Sequence, residues 1–490
     1  MRMPLLKAEN FLAAIPDRTA GNGGPSRLAG AAPVPGWLES TRMAARDTLG
    51  ARGLPTPREE AWKYTNVAPL TRVRYSDGTR DTPDAAALER TRSVACSGVD
   101  ADCEIVLVNG RYAASLSRGQ RRDRSVVLGS LSSELPTSPE TAPALWRGER
   151  APRDGFEALN LAYFEDGARI RVSTAAAPPR DPLTIHVVHI GAGAVPVLAI
   201  PGNVIDLEEG AHAVVVESYL HADSQPHCLV GGTFVSLGPG STLEHYILCS
   251  GNEAGSHLQF FDADLREQAT YRCVQIGLGH QLSRTHLAVR LEEPGADCGL
   301  YGLSLARARQ HRDFHTSVEH LVARCRSDES FKAIVTGHGR SVYNGMVRVH
   351  EGAEKTVSAQ TSHNLLLSPD AEVDTKPELE IYADDVQCSH GATVGQLDAE
   401  MLFYLRSRGL EEDAARALLT AAFAEDVIER VPIPGLRATL GRGLGALLPD
   451  SEAALALGLI DESGHLAAPA PGRAETTRAA GETARPEEVF

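Results

Sequence analysis

The residues best suited to chemistry in this chain are Cys388 and His390, in the stretch DDVQCSHGATVGQLDAE that spans 384–400. In an extended strand, residues two apart project from the same face, so the thiol and the imidazole are neighbours. Both groups suit soft metals and iron–sulfur chemistry, and an imidazolium beside a thiol lowers the thiol pKa. Two ligands do not close a four-coordinate site, so further ligands would have to come from elsewhere. The spacing alone leaves open a buried thiol beside a histidine bonded to backbone.

Histidine is concentrated in one part of the chain: 16 of the 17 histidines lie between residues 186 and 390. Within HRDFHTSVEH (311–320), strand periodicity puts His311, Asp313 and His315 on the face opposite Phe314. We expect these faces to be polar and exposed to solvent, with a metal site or an acid–base pair as the alternative. A metal-binding storage protein is one hypothesis that the histidine content supports.

Acidic residues raise a different hypothesis, a polysaccharide-active enzyme. Asp384 and Asp385, with Glu378, Glu380 and Lys376, are the candidate groups. Adjacent residues of a strand point to opposite faces, so Asp384 and Asp385 should not act as a pair unless a turn intervenes. The sequence contains no G-x-x-x-x-G-K-[ST] phosphate loop and no G-x-S-x-G nucleophile motif. We therefore expect no catalytic residue of these classes.

Composition limits the partners and the compartment. The chain has 490 residues, a net charge of −16 and eight cysteines without a C-x-x-C pair. The negative charge argues against nucleic acid or an anionic membrane as the main partner. The only apolar run near the start covers residues 11–15, and no stretch approaches the roughly 20 apolar residues that cross a bilayer. These features predict a cytoplasmic protein with reduced thiols.

The elements outside the middle of the chain carry local signals. Residues 37–55 predict a helix that ends near Gly53, and residues 155–172 predict a helix followed by a strand. Asn109-Gly110 predicts a type I′ turn in a hairpin over 103–117.

From about 180 to 395, short strand-like runs alternate with turn signals centred at 211, 241, 269, 296, 328 and 353. These turns recur at intervals of roughly 30 residues, which favours a β-solenoid whose coils stack on one another. A two-sheet sandwich is the alternative, although its strands usually recur every ~8 to 12 residues.

After the strand-like region, the pattern predicts a helical hairpin. Asp398 is the expected N-cap of its first helix and Gly409 the residue that follows that helix. Leu419 and Phe423 belong to the apolar stripe of the second helix, which Pro432 and Pro434 should stop. The hairpin would either cap the solenoid or dock a partner. Residues 446–490 lack an apolar pattern and are expected to be disordered.

Several long stretches resemble the SufB/SufD family of scaffold subunits, which belong to the SUF iron–sulfur cluster assembly system. The resemblance rests on DFHTSVEH (313–320), SDESFKAIVTGHGRSVYNGMVRV (327–349), the run from 354 to 398 and FYLRSRGLEEDAARALL (403–419). REEAWKYTNVAPL (58–70) resembles an early segment of the same family. His390-Gly391, where the SufB side has His-Glu, and GQLD (395–398) indicate the SufD-like side.

The resemblance implies a mainly β fold: a right-handed parallel β-helix core (156–397), an N-terminal mixed and helical domain (1–155) and a C-terminal helical domain (398–445). It implies a non-enzymatic scaffold that pairs with a SufB-like paralogue and binds a SufC-like ABC ATPase, with a homodimer in the absence of partners. It makes His390, and more weakly Cys388, contacts of a transient iron–sulfur cluster shared with the paralogue. It implies that the ATPase docks on the C-terminal helices, where we name Leu402, Phe403, Tyr404, Leu419 and Phe423. Reduced flavin is a further component expected in such a complex.

Overall fold

The computed structural model describes residue 11 and residues 34–79, 83–119, 121–122, 125–135, 151–174 and 182–446. The expected disordered tail and most of the chain before Val34 lie outside these residues. The helices of the described chain are α1 (Gly36–Arg52), α2 (Ala85–Cys96), α3 (Leu131–Glu134), α4 (Gly155–Tyr163), α5 (Ala399–Ser407), α6 (Glu412–Glu429) and α7 (Pro434–Gly445), with 3₁₀ turns at Glu60–Trp62 and Leu70–Arg72.

Strands make up most of the regular structure and form two sheets that face one another. They are β1 (Cys103–Val108), β2 (Arg111–Tyr112), β3 (Arg121–Arg122), β4 (Val126–Ser130), β5 (Ala168–Val172), β6 (Leu183–Gly191), β7 (Leu198–Ala199), β8 (Gly202–Leu207), β9 (His212–His221), β10 (Cys228–Leu237), β11 (Thr242–Cys249), β12 (Ser256–Leu265), β13 (Thr270–Gly277), β14 (Leu282–Leu291), β15 (Asp297–Ala306), β16 (His311–His320), β17 (Arg326–Val335), β18 (Arg340–Val349), β19 (Val357–Leu366), β20 (Glu372–Ile381) and β21 (Gln387–Gly395).

The predicted β-solenoid is confirmed, with about seven turns. The first sheet has the order β2-β1-β6-β9-β11-β13-β15-β17-β19-β21, and the second runs from β20 through β18, β16, β14, β12, β10, β8, β5 and β4 to β3. From β8 onward, consecutive strands of the chain alternate between the sheets, and each pairs in parallel with the strand one coil away. Thr242, for example, pairs with His212 of the coil before it and with Thr270 of the coil after it. The expected domain boundary at residue 155 stays a prediction. Strand β1 precedes this boundary, yet it already pairs with β6 of the first sheet.

Local signals fixed several elements as expected. Helix α1 ends at Arg52 and is followed by Gly53, whose φ of 67° suits glycine. Asn109 and Gly110 have φ of 53° and 78° between the antiparallel β1 and β2, as a type I′ turn requires. Asp398 caps α5 by accepting hydrogen bonds from the backbone N–H groups of Glu400 and Met401. Helix α7, which begins at Pro434, lies within the expected helical domain (398–445) but was not predicted as a separate helix.

One expected turn is wrong. Residues 326–330 begin strand β17, and the chain reverses just before it, where Arg324 has φ of 63°. The polar residues that resemble a turn belong to the strand: Asp328 is exposed and accepts from the Tyr301 hydroxyl (2.9 Å), and Glu329 is buried between the sheets.

The expectation that histidines line solvent-exposed faces is also wrong for many of them. His189 lies on the same face of β6 as the core residue Val187, stacks on Tyr219 with ring centroids 4.5 Å apart and is 2% exposed. The Tyr219 ring in turn lies 4.4 Å from that of the fully buried His257. Burial lowers the pKa of His189 to about 4 and that of His257 to about 3, so both imidazoles are neutral at pH 7.

The face of β16 that carries Asp313 and His315 is covered rather than wet, again contrary to expectation. A segment before the solenoid, residues 60–65, crosses the outer face of the second sheet; we call it the strap. The Arg284 guanidinium lies 3.8 Å from the centre of the Trp62 ring and pairs with Asp313, to which the Thr65 hydroxyl also donates. Asp313 is 1% exposed. Burial is the largest single effect and opposes ionisation, but Arg284, His315 and His311 together outweigh it, and the pKa of Asp313 falls below its usual range.

The two long C-terminal helices cover the outer face of the first sheet. Val427 of α6 and Leu440 of α7 are buried in one cluster with Tyr246, Ile276 and Leu303 of the solenoid strands. Helix α5 has no buried residue and stays on the outside. The hairpin therefore both covers a sheet and presents a helix to solvent.

Replacing Asp313 tests the strap. Asp313→Ala leaves the Arg284 guanidinium buried without its carboxylate, so we expect the free energy of unfolding to fall by about 3–5 kcal/mol. Asp370→Ala, whose side chain is 69% exposed, is the control and should change it by less than about 0.5 kcal/mol. Urea unfolding followed by circular dichroism measures both, and an equal effect of the two variants would contradict the role given to Asp313.

Candidate functional site

The solenoid stops at β20 and β21, which are the terminal strands of their sheets in the described chain. Each pairs with one neighbour and leaves its other edge without a strand, an arrangement that invites a strand from another chain. Most of β21 is exposed, whereas β14 is buried over most of its length. Apolar side chains stand exposed at this end, among them Ile381 (42%), Tyr382 (62%) and Val394 (49%).

Cys388 and His390 both lie on β21, at this open end. Two residues apart in one strand, they share a face, and they pair in register with Ser358 and Gln360 of β19. Cys388 packs partly against the interior cluster, and burial raises the pKa of its thiol. The thiol is therefore not an activated thiolate in the chain alone, contrary to one interpretation of the spacing. His390 is exposed to solvent.

The interior behind this pair is polar along the inner face of β19, whereas the coils before it mix apolar side chains with buried polar groups such as Glu217 and His245. The inner face of β19 carries buried polar side chains, each 5% exposed or less: Ser358, Gln360, Ser362 and Asn364. Behind Cys388, a hydrogen-bonded row continues inward: the Ser327 hydroxyl donates to Ser358 Oγ (2.8 Å) and lies 2.9 Å from His320 Nε2. The interior of the solenoid next to its open end is therefore lined by polar, hydrogen-bonded side chains.

Glu329 is the titratable group at the base of this lining, and the sequence analysis did not predict it. Its carboxylate accepts from the Tyr343 hydroxyl and from Gln360 Nε2, both at 3.3 Å. Burial raises the pKa of Glu329 to about 7. The signal that could have found it is its place at an inward position of a strand, which the mistaken turn at 326–330 concealed.

Three of the acids proposed for polysaccharide chemistry, Glu378, Glu380 and Asp385, are held in ion pairs. Asp384 and Asp385 lie in the bend between β20 and β21, which is the exception that the sequence analysis left open, and Asp385 pairs with Lys355. Lys376 bridges Glu60 of the strap and Glu378, at 2.9 and 3.0 Å.

The side chains named for partner docking divide into two groups. On α5, Phe403 is 75% and Tyr404 56% exposed, while Leu402 is half-buried. On α6, Leu419 is half-buried, and Phe423 packs partly against the solenoid with Lys332 Nζ 4.9 Å from its ring centre. The sequence analysis also missed Met401, which is 57% exposed on the same helix as Phe403.

Within the described residues, no group of three or more His, Cys, Asp or Glu side chains is arranged to hold a metal ion. His390 and Cys388 would therefore supply at most part of a ligand set from this chain. None of the described helices combines the length and apolar character needed to span a membrane.

Comparison with known proteins identifies the family. The family model described as SUF system FeS cluster assembly, SufBD core domain, matches residues 189–423, and that of the SufBD protein N-terminal region matches residues 31–178. The iron–sulfur cluster assembly protein SufD of Escherichia coli is 31% identical over 399 residues, which cover 81% of this chain and 90% of that protein. The chain belongs to the SufBD family.

Two further relatives match different shares of the chain. An iron–sulfur cluster assembly SufBD family protein of Synechocystis is 28% identical over 414 residues, 82% of this chain and 89% of that protein. Protein ABCI7, chloroplastic, of Arabidopsis thaliana is 31% identical over 228 residues, 46% of this chain and 48% of that protein. The SufBD core match begins in β6 and ends in α6, so it includes both the open end and the exposed helix α5.

The raised pKa of Glu329 predicts a pH-dependent contribution to stability. The folded chain holds a proton that the unfolded carboxyl releases near its ordinary pKa of 4.5, so the contribution of Glu329 is fully present below pH 4.5 and is lost as pH rises from there through about 7. We expect the difference in unfolding free energy between the natural chain and Glu329→Gln to shift by about 2 kcal/mol between pH 5 and pH 7.

Urea titrations at the two pH values measure this shift, with Glu351→Gln, at an exposed turn, as the control. A difference that stays constant with pH would show that Glu329 does not titrate in this range.

Proposed function

We propose that this SufBD family protein is a non-enzymatic, SufD-like scaffold that pairs through the open end of its solenoid with a SufB-like paralogue. The observation that carries the proposal is the placement of Cys388 and His390 on β21, a strand with an unpaired edge at the exposed end of the described sheets. A parallel strand from a second solenoid would continue the ladder of backbone hydrogen bonds and would bury the exposed Val394 and Tyr382.

In this arrangement the nascent iron–sulfur cluster is the cargo of the interface. His390 supplies an imidazole and Cys388 a thiol from one side, and the paralogue completes the ligand set from the other. The raised pKa of Cys388 makes its thiol the weaker ligand until a metal ion displaces its proton. Cluster building and transfer in the cytoplasm belong to this proposal, as does reduced flavin in the complex, for which no described residue is singled out.

Helix α5 is the proposed docking element for a SufC-like ABC ATPase. Phe403 and Tyr404 project into solvent from a helix that buries none of its own side chains, and large exposed aromatic residues are typical anchors of protein interfaces. Leu402, Leu419 and Phe423 are less exposed and support the two helices, with Phe423 held against the solenoid. ATP turnover is assigned to that partner.

Replacing His390 tests the cluster site. His390→Ala removes an exposed side chain and should change the unfolding free energy by no more than about 1 kcal/mol. The tagged chain, purified anaerobically from its own host with its partners, should then carry much less iron and acid-labile sulfide. His338→Ala, whose side chain is 60% exposed in a turn, is the matched control. Natural iron and sulfide contents in His390→Ala would remove His390 from the site.

Replacing Phe403 tests the docking helix. Because its side chain is 75% exposed, Phe403→Ala should leave stability within about 0.5 kcal/mol, yet weaken ATPase binding by at least about 2 kcal/mol, or roughly 30-fold. The recovery of the ABC ATPase with the tagged chain measures this loss. Val195→Ala, at a 45% exposed position far along the chain from α5, is the control. Equal recovery with all three chains would place the ATPase elsewhere.

A further inference from the structure

Gln360 lies between the buried carboxyl of Glu329 and the exposed imidazole of His390. In the first sheet it pairs in register with Glu329 of β17 on one side and with His390 of β21 on the other. Side chains of register partners in neighbouring parallel strands lie on the same face, about 4.8 Å apart. One amide side chain is therefore within reach of both groups.

The hydrogen bonds around Glu329 decide how the amide is turned. Gln360 Nε2 donates to Glu329 Oε1, and the Tyr343 hydroxyl donates to Glu329 Oε2, both at 3.3 Å. The amide nitrogen of Gln360 is thus engaged in the hydrogen bond to Glu329. Gln360 Oε1 is left over: it is buried, and it has no hydrogen-bond partner among the described residues. A buried acceptor without a donor is unfavourable, so we look for a donor to this oxygen in the neighbouring coil.

Gly345 shows that the arrangement depends on close packing. A Cβ at this position would overlap both the Tyr343 hydroxyl and Gln360 Nε2. Only the absence of a side chain allows both donors to reach Glu329 together. The amide orientation is therefore set by three neighbouring strands, β17, β18 and β19, rather than by Gln360 alone.

We propose that Gln360 is a positioning residue for His390. Its Oε1 accepts a hydrogen bond from an imidazole N–H of His390. This hydrogen bond would fix the tautomer and the ring orientation, and it would leave the lone pair of the other ring nitrogen free for a metal ion at the open end. The ring of His390 is exposed in the chain alone, and the inference is that it forms this hydrogen bond with Gln360. The metal-directed part rests on the proposed function, whereas the hydrogen bond itself does not.

The tautomer of His390 is the direct readout. The full-length, metal-free chain is labelled with ¹⁵N and ¹³C at histidine, and the His390 signals are assigned by their loss in His390→Gln. We expect one tautomer in the natural chain. Gln360→Leu removes the acceptor at similar volume and should give a mixture of two tautomers, whereas Gln360→Glu keeps an oxygen in place and should restore one.

Ser362→Ala is the matched control, because Ser362 is a buried polar residue of the same inner face that pairs in register with Ala392. It should leave the His390 tautomer unchanged. If Gln360→Leu does not fold, Glu329→Gln provides the second test: the new amide can donate to Gln360 Oε1, turn the amide away from β21 and so mix the tautomers. A mixture in the natural chain, or one tautomer in both Gln360→Leu and Glu329→Gln, would overturn the inference.

The iron and sulfide content of the anaerobic complex separates this inference from the proposed function. If His390→Ala keeps both contents while Gln360→Leu mixes the tautomers, the cluster site is wrong and the positioning role stands. If His390→Ala loses iron and sulfide while Gln360→Leu leaves the His390 tautomer unchanged, the cluster site stands and the positioning role is wrong. With both correct, Gln360→Leu should lower metal affinity by about 10-fold or more, as the loss of an outer hydrogen bond to a ligand does.

Discussion

The in-register stacking of coils is the constraint on which the rest of the structure depends. Each strand from β9 to β19 hydrogen-bonds to the strand one coil before it and to the strand one coil after it, so the backbone groups of these strands find partners. The last described coil has a neighbour on one side only. Its free edge follows from the architecture, and it is where the sequence places Cys388 and His390. The central feature of this molecule is that Cys388 and His390 lie on a strand whose outer edge has no hydrogen-bonding partner in the described chain.

The lining of the solenoid changes along its axis. The middle coils combine aliphatic and aromatic side chains such as Leu300 and Phe331 with buried polar groups such as Glu217, whereas the inner face of β19 presents only polar side chains, from Ser358 to Asn364, to the interior. Buried polar groups are costly unless they are hydrogen-bonded, and those behind the open end form rows of hydrogen bonds that lead toward β21. The polar interior thus supports the site instead of filling the core.

Sequence reasoning succeeded where the cause is local. Gly53, Asn109-Gly110 and Asp398 act through their own backbone geometry or through groups two or three residues away, and all three were predicted. The repeat of the turns likewise revealed the solenoid, although one of them, at 326–330, was misplaced because polar strand residues resemble a turn.

The errors concern polar residues whose burial depends on distant parts of the chain. Asp313 is covered by Thr65, which lies 248 residues earlier, and no local pattern shows that contact. The pair Cys388 and His390 could be found from its spacing, but Gln360 and Glu329 stand behind it only because the stacked coils bring them into register. Such neighbours become visible only when the register of the coils is known.

A photo-crosslinking amino acid placed at Val394, on the exposed strand β21, tests the central claim most directly. The full-length chain is expressed in its own host, irradiated under anaerobic conditions and purified, and the crosslinked partner is identified by mass spectrometry. Placement at the exposed Val195 is the control. We predict a crosslink from position 394, and not from position 195, to a second SufBD family subunit. No crosslink from position 394 to such a subunit in the intact complex would contradict the pairing of solenoids through this end.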